Sequence, residues 1–130
     1  MPLADVPDLA SFGTVLGFAA ALEEACAGAA RAAARTDLAE RHAKRARQVG
    51  QWRRERLCEV VLQPLTGLDP RDYQPAPGLE GVAALADLEA GAARFYTDAA
   101  QRARACLGGL SRPFLRLAEE SRTFAASLGA

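Results

Sequence analysis

A chain of 130 residues with zero formal net charge, half of them hydrophobic, is long enough for one domain with its own core. That balance excludes a disordered acidic or basic tail. Thirty alanines favour helix, while β-branched and aromatic residues are too scarce to build sheets, so the expected class is all-α.

The first ten residues, "MPLADVPDLA", carry Asp5 and Asp8 and no Lys or Arg, which argues against a signal peptide. A first helix is predicted from about Asp8, a plausible N-cap, to about Arg35. Its apolar positions Leu9, Phe12, Leu16, Ala19, Cys26, Ala30 and Ala33 recur at a spacing of three and four. The apolar run from Thr14 stops at Glu23 and Glu24, too short to cross a bilayer. A second helix runs from Thr36 or Asp37 to about Leu62, with Leu38, His42, Ala46, Val49, Leu57 and Val60 on one stripe. The segment "QPLTGLDPRDYQPAPG" follows, with four prolines. Proline-rich chain of this length spans about 45–50 Å, enough to return along a helix of about 40 Å. A third helix is predicted over about 78–107, through Val82, Leu85, Ala92, Tyr96, Ala99 and Ala103. A fourth covers about 112–129, with Ser111 as cap, Pro113 in its first turn, and Phe114, Leu117, Ser121, Phe124 and Leu128 as its stripe.

Short links make helices one and two, and helices three and four, antiparallel neighbours. Two such hairpins joined by a long crossover give a single four-helix-bundle domain over residues 1–130. The alternative is a tether between hairpins of different chains. Cys26, Cys58 and Cys106 form no C-x-x-C pair, which fits buried thiols in a reducing, cytoplasmic compartment.

Two stretches carry a family likeness. "DLEAGAARFYTDAA" places Glu89 six residues before the Phe95–Tyr96 pair, and "RLAEESRTF" (Arg116–Phe124) follows on the next helix. "LEEACAGAARAAA" also aligns with "LEAGAARFYTDAA" without gaps, matching Glu23 to Glu89. In these features and in its layout the chain resembles the ferritin-like superfamily, nearest its rubrerythrin-type members. The resemblance implies a di-metal centre with single glutamates on two helices and Glu-x-x-His on the other two. Glu23 and Glu89 match the single glutamates. Ser121 and Phe124 stand where Glu and His belong on helix four, and His42 on helix two is preceded by Ala39 at the glutamate position.

Register adds a second expectation. Residues equidistant from a hairpin turn face each other, which sets Gln48, Gln51 and Trp52 opposite Glu23, rather than His42. Family spacing from Glu23 lands on Glu55 and Cys58. No register supplies Glu-x-x-His. A Glu on an apolar stripe is then expected to pair with a buried arginine or with a tyrosine such as Tyr96.

The expected function is non-catalytic: a degenerate ferritin-like bundle acting through assembly, by default as a homodimer, or through partner binding. No resident metal or cofactor is expected. The alternative is an oxidoreductase or storage protein with a reduced site of Glu23, His42 and Glu89 binding iron, manganese or zinc, with Glu40 or Glu120 recruited. A third reading rests on charge. Seven arginines and Lys44 lie between Arg35 and Cys58, a face for an acidic partner. Overall neutrality and the lack of a reading motif argue against nucleic acid. No phosphate loop, H-E-x-x-H or nucleophile–histidine pair is present.

Overall fold

A computed structural model of the chain describes residues 12–55, 68–106 and 108–129. These residues form four α-helices, α1 (Phe12–Ala32), α2 (Thr36–Glu55), α3 (Gly81–Cys106) and α4 (Gly108–Gly129), and a short 3-10 turn at Pro70–Tyr73. No strand occurs among the described residues. No helix among them is long and apolar enough to cross a membrane. The extensive helix pairs are α1 with α2, α1 with α3, and α3 with α4.

The helix bounds differ from the sequence reading for local reasons. α1 ends at Ala32 rather than near Arg35, because Ala34 turns into the left-handed region at φ 60°. The Arg35 amide then donates to the Ala30 carbonyl at 2.8 Å and the Ala34 amide to Arg31 at 3.1 Å, the paired bonds of a Schellman terminus. α3 starts at Gly81 rather than Gly78, because Gly78 and Gly81 both take positive φ and turn the chain before it. α4 starts at Gly108, so Ser111 is not its cap and Pro113 lies inside the helix. The Ser111 hydroxyl instead donates to the Ala100 carbonyl of α3 at 3.2 Å. The predicted continuation of α2 to Leu62, and Leu9, Leu57, Cys58 and Val60 with it, lie outside the described residues.

Phe18 of α1 and Phe95 of α3 pack edge to face at 5.0 Å, and Tyr73 adds a third ring 5.3 Å from Phe95. Tyr73 comes from the crossover. Its hydroxyl donates to Asp98 at 2.5 Å, and the Ala76 amide donates to Asp87 at 2.8 Å, so the segment runs along α3 toward its first turn. Asp69 accepts the Arg71 amide at 2.9 Å and caps the 3-10 turn, with Pro70 at its first position.

The buried apolar residues form two clusters. The larger holds Leu16, Phe18, Leu22, Val49, Phe95, Tyr96, Phe114 and Ala118; the smaller holds Ala30, Leu38, Leu85 and Phe124. On α2, α3 and α4 the polar residues His42, Arg45, Glu89 and Ser121 fall on the stripes between the two. That polar layer is the candidate site.

Candidate functional site

α1, α2 and α3 each bring one ionisable side chain with no exposed surface to a common point: Glu23, His42 and Glu89. His42 Nδ1 lies 2.6 Å from Glu23 Oε1, and its Nε2 lies 2.5 Å from Glu89 Oε2. Only an imidazolium donates from both ring nitrogens. Burial by itself pulls the His42 pKa down. The hydrogen bonds and charges of Glu23 and Glu89 outweigh it and raise the value from 6.5 to about 9.

Glu23 is the better satisfied carboxylate. Its Oε2 accepts from the Tyr96 hydroxyl at 2.5 Å and pairs with Arg45 Nη2 at 3.0 Å. The same Arg45 nitrogen donates to Ser121 Oγ at 2.9 Å and to the Leu117 carbonyl at 3.3 Å. The guanidinium carbon lies 5.6 Å from the ring centres of both Tyr96 and Phe124, close enough for attraction to each π face. Burial disfavours its charge, but Glu23 and its neighbours hold the Arg45 pKa above its ordinary value. Two carboxylates, one imidazolium and one guanidinium sum to zero, so the layer closes its own charge inside the core.

Burial acts on the neighbouring groups as well. Burial pushes the Cys26 thiol well above its usual range, and Glu23 and Glu89 push it further. Burial followed by the Glu23 charge does the same to the Tyr96 phenol. Burial also raises the Glu89 carboxyl, against the opposing pull of His42. Glu89 Oε1 has no hydrogen-bond partner among the described residues.

The three residual candidates read from the sequence therefore converge, but the predicted register does not hold. His42, rather than Gln48, Gln51 or Trp52, reaches Glu23. α1 stops three residues sooner than predicted, which moves the turn toward Glu23, and the long Glu and His side chains bridge the remaining offset. Gln48 and Gln51 are exposed, while Trp52 packs on Phe114 with ring centres 6.0 Å apart. The expected pairing of a buried Glu with an arginine and with Tyr96 is present at Glu23. Glu40 is exposed, and Glu120 lies 3.9 Å from Arg45 Nη1 on the outer side of the cluster.

The sequence reading missed Arg45 as a core residue, although it is only 5% exposed. The signal was present. Leu38, His42, Arg45, Val49 and Trp52 step by four, three, four and three, the period of a buried stripe. Charge alone had placed Arg45 with the surface cations.

A di-metal centre does not fit these residues. Ser121 accepts a hydrogen bond from Arg45, the Phe124 ring stands edge-on to His42 at 5.6 Å, and a guanidinium holds Glu23. Cys26, His42 and Glu89 do offer one donor atom each, all within 4.8 Å of one another. A single divalent ion there would have to displace the His42 proton, and the thiol proton as well. Comparison of the chain with family models, curated proteins and solved structures gives no match.

Proposed function

We propose that this chain is a non-catalytic bundle of ferritin-like layout, two antiparallel hairpins joined by the crossover, in which an ion network replaces the di-metal centre. It works through assembly, as a homodimer, or through a partner met by the arginine-rich α2. The observation that carries the reading is the Arg45 guanidinium, ion-paired with Glu23 and hydrogen-bonded to Ser121. A permanent cation beside one expected ligand, bonded to the residue standing in for another, supplies the positive charge a metal would otherwise bring. Glu23, His42 and Glu89 have no exposed surface, so the cluster presents no reactive group to a dissolved substrate.

The test is metal loading. Untagged protein is incubated separately with Fe(II), Mn(II) and Zn(II), desalted, and analysed for metal by mass spectrometry. Far substoichiometric uptake of all three supports the network. One equivalent per chain, abolished by Glu89→Ala, overturns it. The mutual approach of Cys26, His42 and Glu89 favours a second reading, a single-ion centre. Loss of that equivalent in Cys26→Ala as well would identify this site.

A further inference from the structure

α2 and α4 form no extensive pair, and a cleft of about 370 Å³ opens between them. Its wall along α2 from Arg41 to Trp52 is about 16 Å long. Arg41, Lys44 and Arg45 line one side and Arg116 the other, with Glu120 as the one carboxylate among the described lining residues. Arg41, Lys44 and Arg116 are exposed, and among the described residues no carboxylate pairs with them. Trp52 provides an apolar surface at one end.

Arg45 makes this more than a basic surface. It is 5% exposed, and Nη2 is fully used inside the network, yet Nη1 and Nε have no hydrogen-bond partner among the described residues. The Glu120 carboxylate, 3.9 Å from Nη1 and with its side chain 41% exposed, is beyond hydrogen-bond reach. A buried guanidinium with unsatisfied N–H groups is costly unless something accepts from it. Glu23 already balances the Arg45 charge. Arg41, Lys44 and Arg116 against Glu120 then leave an excess of two positive charges, the complement of a phosphate monoester at about −1.5 to −2.

We infer that the cleft between α2 and α4 binds a small organic phosphate. Arg45, Lys44 and Arg116 hold the phosphate, and Trp52 supports the apolar body. Guanidinium groups suit this task because their planar forks match phosphate oxygens. The volume lies within the range of small-molecule sites, toward its lower end. Metal uptake would overturn the preceding reading and leave this one standing, because Arg45, Lys44 and Arg116 are not among the candidate metal donors Cys26, His42 and Glu89.

The experiment is calorimetric titration of the full chain at low salt with phenyl phosphate, inorganic phosphate, phenol and a polyglutamate peptide. The indole N–H signal of Trp52, the single tryptophan, is followed by NMR in parallel. Phenyl phosphate is expected to saturate and to shift the indole signal. Inorganic phosphate should bind more weakly and phenol not at all. Arg116→Glu, at an exposed position that spares the fold, should weaken phenyl phosphate by about tenfold or more. Absence of saturation, or unchanged affinity in Arg116→Glu, overturns the inference. So does tighter binding of the peptide, which would make the cleft a docking face for an acidic protein.

Discussion

Glu23 accepts from His42 and Tyr96 and pairs with Arg45, whereas among the described residues Glu89 accepts from His42 alone and Oε1 has no donor. Neutralising them should therefore cost different amounts. Glu23→Gln strands both cations and is expected to lose about 3–5 kcal/mol, while Glu89→Gln should lose about 1–2 kcal/mol. Urea denaturation of the two variants measures this, and a larger loss at Glu89 would contradict the network. His42 sets the pH dependence. Its folded pKa of about 9 lies above its ordinary 6.5, so its contribution is complete below about pH 6.5 and disappears as pH rises through about 9. The difference is at most about 3 kcal/mol. The raised Glu89 carboxyl acts in the same sense at lower pH. Stability measured across this range should fall toward alkaline pH, and a flat or rising profile would count against an imidazolium. The sequence made the three acid–base residues visible because each interrupts an apolar stripe. It hid Arg45, since a stripe position and a basic run gave opposite signals and only packing decides between them.

Helix ends were the least legible elements. Three alanines in a row, Ala32 to Ala34, read as helix by propensity, yet Ala34 is left-handed and closes the Schellman terminus. Nothing in an alanine announces that role; glycine would have. An alanine with positive φ carries a strain of about 1–2 kcal/mol that glycine avoids, less the extra chain entropy glycine loses on folding. Ala34→Gly is thus expected to stabilise the protein by up to about 1 kcal/mol, read as a higher urea midpoint with unchanged slope. A lower midpoint would mean the turn is not left-handed. The opposite error occurs at α4. "GGLSRP" carries the marks of a loop and cap, but packing of α4 on α3 draws Gly108 and Gly109 into the helix, and Ser111 bonds across to Ala100. Tertiary contact overrode local preference there.

At the scale of the molecule, composition sufficed for the all-helical class, and the proline-rich segment marked where the two helix pairs divide. How that segment docks was not legible, because its anchors are Tyr73 with Asp98 and the Ala76 amide with Asp87, single contacts with no periodicity. The division of the core was equally hidden. Two apolar clusters are separated by a polar layer, and its neutrality depends on one proton, that on His42. A buried network of this kind is costly when broken and contributes register and specificity when whole. The chain has a single histidine, so NMR of the imidazole nitrogens in metal-free protein tests the claim without ambiguity. Both nitrogens protonated at neutral pH, with a midpoint near 9, is the predicted result. A neutral ring at neutral pH would contradict the account and leave Glu23 and Glu89 in need of another cation.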